Sequence, residues 1–297
     1  MQAEPELIDV PAAGGRLHVA RWGSGGNVAL AAHGITASSM AWRGVARHLD
    51  DDWSLIAPDF RGRGDSRALA GPFGLEANSD DLLAVAERLD IDRAVLAGHS
   101  MGAYVVALAA ARAPALAQRV VLVDGGLPPP RPERDVDVDA VLEATLGPAR
   151  ARLRMVFAGP EEYVDFWRRH PALAAWNDDI EAYVRYDLTG APGAMRAKAS
   201  EAAVTEDGRG IFLGEPTIGA ALRSIKCPMT LLRAPRGLLD EPGGFQPEAL
   251  VERWRDELAD FHDVLVEDTN HYTIQLGERG AAVVAASIAG RSAPPSG

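Results

Sequence analysis

Ala94-Val95-Leu96-Ala97-Gly98-His99-Ser100-Met101-Gly102 is the stretch on which the fold turns. Four apolar residues run without alternation into a Gly-x-Ser-x-Gly pentapeptide, and a small-residue segment with helical character, Ala103 to Ala113, follows. Strand, pentapeptide and helix in that order are the setting of a nucleophile elbow, where a sharp turn pushes the serine hydroxyl into a cleft. Both glycines have a mechanical reason. The turn leaves little room for a Cβ beside Ser100, and Gly102 lets the new helix pack close to its strand. The pentapeptide alone is a weak signal, because small residues are common; its position between strand and helix gives it weight.

The surroundings repeat the same rhythm. Apolar runs recur at Val28 to Ala32, Ser54 to Ala57, Val120 to Val123, Met229 to Leu232 and Asp263 to Val266, each entering a turn or polar loop. Apolar residues at consecutive positions indicate strands buried on both faces, as in a parallel sheet. Between them lie helical patterns: Trp42, Val45, Ala46 and Leu49; Leu82, Val85, Ala86 and Leu89; and Leu250, Trp254 and Leu258. Strands alternating with helices imply right-handed crossovers and a doubly wound sheet. Leu7 to Val10 and Arg16 to Trp22, joined through Ala13-Gly14-Gly15, read as a hairpin feeding an antiparallel edge. The expected class is α/β, with a mostly parallel eight-stranded sheet and helices on both faces.

The rhythm breaks after Val123-Asp124, at Gly125-Gly126 and the stiff Pro128-Pro129-Pro130. Residues 127–222 carry helical patterns and no convincing strand, with Tyr163, Phe166, Trp167 and His170 on one face and Ile180, Tyr183, Val184 and Leu188 on another. They are expected to form a helical cap inserted after the sixth strand, over the crevice at the carboxyl ends of the strands. The core is then 1–126 and 223–291, and 292–297 is expected to be a disordered tail. Trp167, Trp176, Tyr183 and Met195 are the cap residues expected to line an apolar pocket, although any of them could equally belong to the cap's own core.

Ser100 needs a base, since an unassisted hydroxyl is a poor nucleophile near neutral pH. Of the seven histidines, His271 follows the last strand in Asp268-Thr269-Asn270-His271-Tyr272, on the same rim as Ser100. His33 and His99 sit beside other motifs and read as structural. The acid that orients the imidazole is expected to be Asp240, in the loop after Met229 to Leu232 and 31 residues before His271. Its competitor is Asp124, at the end of the strand after the elbow helix. The oxyanion hole needs two backbone N–H groups; Met101, next to the nucleophile, and Ile35, in His33-Gly34-Ile35-Thr36, are the candidates.

Composition bounds the rest. The chain has 297 residues, 47% of them hydrophobic, enough for one large domain with an insert. A formal charge of −12 argues against nucleic acid or an anionic membrane as partner. The single Cys227 excludes an internal disulfide and a cysteine-rich metal site. There is no paired-histidine metal spacing, no phosphate-binding Gly-x-x-x-x-Gly-Lys loop, and no third glycine for a dinucleotide fingerprint, so neither metal nor cofactor is expected. The first ten residues, with Glu4 and Glu6, lack a signal-peptide core, and the longest small-apolar stretches, Tyr104 to Ala111 and Ala281 to Ala289, are too short to span a bilayer. A cytoplasmic location is the expectation.

Taken together, His33-Gly34, the Asp59-Phe60-Arg61-Gly62-Arg63-Gly64-Asp65-Ser66 loop, the elbow at Gly98 to Gly102, the loop at Gly237 to Asp240, and His271 resemble the α/β-hydrolase fold superfamily in its capped form, over about 5–290. The chain order serine, aspartate, histidine is that family's order. The resemblance implies that the Asp59 to Ser66 loop is structural, and serine at the elbow separates this chain from haloalkane dehalogenases and epoxide hydrolases, which use aspartate there. Arg233-Ala234-Pro235-Arg236-Gly237 departs from the aromatic-Gly-acidic pattern of relatives. The expected activity is hydrolysis of a small or medium apolar ester through an acyl-enzyme on Ser100, with activity rising through about pH 6–7 as the imidazole base becomes neutral. Thioester, lactone and carbon–carbon bond hydrolysis use the same triad, with perhydrolysis ranked lower. A non-catalytic ligand receptor is the reading from another class.

Overall fold

The computed structural model describes residues 4–130 and 137–291; the expected 292–297 tail lies outside them. In chain order the elements are β1 (Glu6–Ala12), β2 (Gly15–Trp22), β3 (Asn27–Ala32), α1 (Arg43–Arg47), β4 (Trp53–Pro58), α2 (Leu75–Arg88), β5 (Ala94–His99), α3 (Met101–Arg112) and β6 (Ala117–Val123). After β6 come α4 (Val138–Arg154), α5 (Pro160–Arg168), α6 (Asp178–Tyr186), β7 (Leu188–Thr189), β8 (Arg196–Ala197), α7 (Glu201–Leu213) and α8 (Glu215–Ser224). The chain closes with β9 (Met229–Arg233), α9 (Glu248–Arg255), β10 (Phe261–Leu265), α10 (Thr273–Leu276) and α11 (Glu278–Ile288).

Eight strands form one sheet in the order β1-β2-β4-β3-β5-β6-β9-β10. The β1–β2 and β2–β4 pairs are antiparallel and the remaining pairs parallel. The unbroken apolar runs sit where both faces are covered: every residue of β4 and β5 is buried. The outermost strand β10 departs from that pattern, with Val264 and Leu265 exposed, because an edge strand has a neighbour on one side only. Helices α2, α3 and α8 pack together, and α1 packs with α11.

The segment between β6 and β9 is mostly helical and also carries the β7–β8 ladder, in which Leu188 pairs with Ala197 and Thr189 with Arg196. Two residues per strand are too few to leave an alternating signal in the sequence. Leu188 therefore leaves the helical face assigned to it, and His170 falls beyond the end of α5. The expected inserted unit ran to residue 222, yet α8 packs on α3 of the main layer.

Four polar anchors tie this segment to the core. Asp179 of α6 is buried and bridges Arg43 and Arg47, at 2.8 Å for the latter. Asp207 of α7 pairs with Arg63 at 2.5 Å, both fully buried. Ser200 donates its N–H to the Gly62 carbonyl at 2.7 Å, and Tyr186 donates its hydroxyl to Asp59.

Strand β5 lies inside the sheet with every residue buried. Leu96 is fully buried in β5 between β3 and β6. Leu96→Ala is expected to lower the unfolding free energy by about 2–5 kcal/mol, read from urea denaturation followed by circular dichroism.

Candidate active site

The turn after β5 has the geometry the pentapeptide predicts. Ser100 has φ 53° and ψ −118°, a conformation that L residues rarely adopt and that the surroundings must enforce. A Cβ on Gly98 would lie 2.1 Å from the Gly102 carbonyl oxygen, and one on Gly102 would lie 2.0 Å from the Ala32 carbonyl oxygen. Only glycine fits at either place. Met101 is the first residue of α3, where backbone N–H groups have no helical acceptor and the helix end is electropositive.

Ser100 opens onto a cavity of about 400 Å³, also lined by Gly34, Ile35, His99, His271 and Tyr272. The His271 ring is 5% exposed, and its Nδ1 lies 2.7 Å from Oδ2 of the fully buried Asp124. A carboxylate accepts, so Nδ1–H donates and Nε2 is left as the basic nitrogen. The other Asp124 oxygen, Oδ1, accepts the Ala234 N–H at 3.0 Å.

This corrects the expected acid. Asp240 does not meet His271: its Oδ1 accepts from Arg236 Nε at 2.7 Å and Asn270 Nδ2 at 2.8 Å. The hydrogen bond from Asn270, then that from Arg236, holds its carboxyl below the usual range. The reason lies in the strand order. β6 lies beside β5, with Val123 opposite His99 and the Ser100 N–H on the Val123 carbonyl at 2.9 Å, so the residue after Val123 adjoins the nucleophile. β9 is one strand farther out, and Asp240 lies seven residues beyond its last residue, Arg233. Asp240 instead braces Asn270, whose side-chain oxygen accepts the N–H groups of Tyr272 and Thr273 at 3.0 and 2.9 Å. It thus steadies the loop that carries His271.

The two remaining histidines near the elbow are structural. His33 Nδ1–H donates to the Gly34 carbonyl at 2.8 Å, and its Nε2 accepts the Phe60 N–H at 3.0 Å. His99 Nε2–H donates to the His271 carbonyl at 2.8 Å. Burial pushes the His33 imidazole down to about 3, and burial together with the neighbouring His271 pushes His99 well below its ordinary value. Both are therefore neutral. Behind the Ile35 loop, Arg63 donates from Nε to the Ile35 carbonyl at 3.0 Å and from Nη1 to the Arg61 carbonyl at 3.1 Å. Arg61 pairs with buried Asp81 at 2.6 Å. Asp59 accepts the Ser39 and Asp65 N–H groups at 2.7 and 2.8 Å, so this loop is a brace beneath the site.

Of the four expected pocket residues, Trp167 and Tyr183 line the cavity and Trp176 and Met195 do not. Trp176 sits under the Arg168 guanidinium and donates Nε1–H to Glu181 at 3.2 Å. Met195 pairs through its backbone with Phe157. The sequence reading missed Arg152, Phe166, Phe245 and Tyr272 in the wall. Tyr272 adjoins His271 and could have been found from that; Arg152 carries no local signal. Pro148, inside α4, supplies no N–H to the Ala144 carbonyl, and both residues line the cavity. Among the described residues no cluster of three or more His, Cys, Asp or Glu is placed to hold a metal ion, and no helix is long and apolar enough to cross a membrane.

The sequence profile of the alpha/beta hydrolase fold matches residues 30–157. A 2-(acetamidomethylene)succinate hydrolase from Mesorhizobium japonicum is 30% identical over 258 residues, 86% of this chain and 85% of that protein. The chain belongs to the alpha/beta hydrolase fold family. An N-formylmaleamate deformylase from Pseudomonas putida is 36% identical to this chain over 148 residues, 47% of this chain, and the match spans 54% of that relative's length. Among solved structures, E-2-(acetamidomethylene)succinate hydrolase superposes with a TM-score of 0.77 at 24% identity, over 96% of this chain and all of that one. The thioesterase domain from the curacin biosynthetic pathway superposes at 0.76 with 19% identity, over 96% and 99%. At such identities these two likenesses speak for the fold alone.

The buried imidazoles make stability acid-sensitive. His33 is held near 3 in the folded chain against 6.5 when unfolded, so below 6.5 the unfolded chain binds the extra proton. The stabilisation is complete above that value and is lost as pH falls toward 3. Between pH 7 and pH 5 this one imidazole is expected to cost about 2 kcal/mol, measured by urea denaturation at both values. His33→Gln is expected to flatten that slope while starting from a less stable fold.

Proposed function

We propose that this hydrolase cleaves a small amide through an acyl-enzyme on Ser100, with His271 as base and acid and Asp124 as the orienting carboxylate. The observation that carries the reading is the 2.7 Å contact from His271 Nδ1 to Asp124, on the cavity into which the strained elbow presents Ser100. Nε2 of His271 takes the Ser100 proton as Oγ attacks the carbonyl carbon, and the carbonyl oxygen becomes an oxyanion. The N–H groups of Ile35 and Met101 are the donors for it. The C–N bond then breaks, His271 returns its proton to the leaving nitrogen, and the acyl group stays on Ser100. Water, deprotonated by His271, attacks the acyl carbon; the acid leaves and Ser100 regains its proton.

The choice of an amide rests on the two relatives, named for an N-formyl and an acetamido compound. The ester reading is favoured by the apolar wall that Phe166, Leu238, Leu239 and Phe245 contribute. Turnover of a matched N-acyl amide and acyl ester by the same preparation decides between them, with the amide expected to give the higher kcat/KM relative to its uncatalysed rate.

A serine-directed fluorophosphonate is expected to label the wild-type chain and not Ser100→Ala; labelling of both would remove Ser100 as nucleophile. Asp124→Asn is expected to lower kcat by about 10³–10⁴-fold. Asp240→Asn, acting through Asn270, is expected to cost about tenfold or less. A large loss in Asp240→Asn with near-normal turnover in Asp124→Asn would reverse the assignment of the acid.

A further inference from the structure

Among the described residues, Arg152 is the arginine or lysine that lines the cavity beside Ser100. It comes from α4, it lines the cavity that Ser100 opens onto, and it is 3% exposed. Its Nη1 is committed: it donates to the Tyr163 hydroxyl and, at 2.7 Å, to Oδ2 of buried Asp187. One face of the guanidinium lies over the Trp167 ring, 4.9 Å from its centroid. Nη2 is buried and has no hydrogen-bond partner. A guanidinium is never deprotonated in a protein and cannot accept, so an idle Nη2 is a charged donor held away from water with nothing to donate to. Such groups are costly and call for an acceptor.

The rest of the wall fits the same partner. Buried Gln275 also lines the cavity and has an amide nitrogen without a hydrogen-bond partner. Glu241, the acidic side chain in the lining, folds back on its own loop and accepts the Leu239 N–H at 2.7 Å. His170, half-buried in the same wall, is pushed below its ordinary value by burial and by Arg152, so it remains neutral beside the guanidinium. The cavity thus joins a nucleophile to a fixed cationic donor, with mostly apolar surface elsewhere.

We infer that Arg152 is a carboxylate-binding residue, and that the substrate is a small organic acid whose carboxylate pairs with the Arg152 guanidinium while its acyl group reaches Ser100. The inference rests on the reading of Ser100 as the reacting group, and it names the substrate class that reading leaves open. Asp187 does not satisfy the same role, because it occupies the Nη1 edge. It holds the guanidinium in place, and Trp167 holds its plane.

The test uses two probes with the same carbon skeleton, succinate and the neutral succinamide, on the full-length chain at low salt. Calorimetry is expected to give succinate a dissociation constant at least about tenfold lower, the range of a charge-assisted hydrogen bond. Succinate, and not succinamide, is expected to slow fluorophosphonate labelling of Ser100. Equal affinity of the two probes, or tight succinate binding that leaves labelling untouched, overturns the proposal. The paired variant Arg152→Met with Asp187→Asn removes both buried charges together and is expected to bring the two probes to similar affinity. Arg152→Lys, which keeps the charge but not the fork, is expected to keep part of the preference. If either variant folds, as judged by its melting transition, and the paired variant retains the full succinate preference, Arg152 is not the site. If the wild-type chain resists the fluorophosphonate but still prefers succinate through Arg152, the carboxylate site stands and the nucleophile assignment falls.

Discussion

Two neighbouring strands must each end in a left-handed residue for this site to exist. Ser100 after β5 has φ 53° and Asp124 after β6 has φ 45°. The Ser100 N–H on the Val123 carbonyl and the Asp124 N–H on the Leu232 carbonyl carry the parallel ladders one step past each strand end. With the backbone turning sharply at both positions, the two side chains leave the sheet at adjacent places on one rim. Asp tolerates the left-handed region better than most residues. Serine does so here because glycine on either side removes the Cβ atoms that would strike Gly102 and Ala32. The contact from Asp124 to His271 then closes a loop of 147 residues in one hydrogen bond.

The inserted helices matter because of how they are anchored. Arg63 is the node: its Nε holds the Ile35 carbonyl, its Nη2 pairs with Asp207 of α7, and both residues are fully buried. A buried ion pair is weak evidence for stability, but breaking one partner strands the other charge. Movement of α7 away from the core would therefore unseat the same arginine that holds the loop at Ile35. Asp179 does the corresponding work for α6 through Arg43 and Arg47. The helices over the cavity and the loop at Ile35 are in this sense one polar framework, and Arg63 of the Asp59 to Ser66 loop belongs to it.

The strands, the elbow and His271 were legible because they depend on local pattern: unbroken apolar runs, two glycines around a serine, a histidine just past the last strand. The acid was not, since its identity depends on which strand lies beside β5. A sequence lists β6 and β9 only in order, and Asp240, 31 residues from His271, looks nearer than Asp124. Hydrogen bonding reverses that impression: Asp240 spends its carboxylate on Arg236 and Asn270. The pocket was half legible for a related reason. Aromatic residues at helical spacing mark a buried face without saying whether it faces a cavity, so Trp167 and Tyr183 were found while Trp176 and Met195 went elsewhere. Arg152 was invisible, because an arginine in the last turn of a helix is ordinarily a solvated cation near the carboxyl end.

Three imidazoles lie around the elbow, and their environments divide the labour. His33 is enclosed by backbone partners, donating to Gly34 and accepting from Phe60. His99 spends its N–H on the His271 carbonyl. Neither has a carboxylate, so burial disfavours the protonated form of each. His271 is enclosed like them but has the Asp124 carboxylate on Nδ1, which keeps the proton on that nitrogen and leaves Nε2 as the basic one. The same low dielectric that keeps those two rings neutral strengthens the hydrogen bond from His271 to Asp124. Burial acts on all three side chains, and the carboxylate partner is what sets His271 apart as the base of the proposed mechanism.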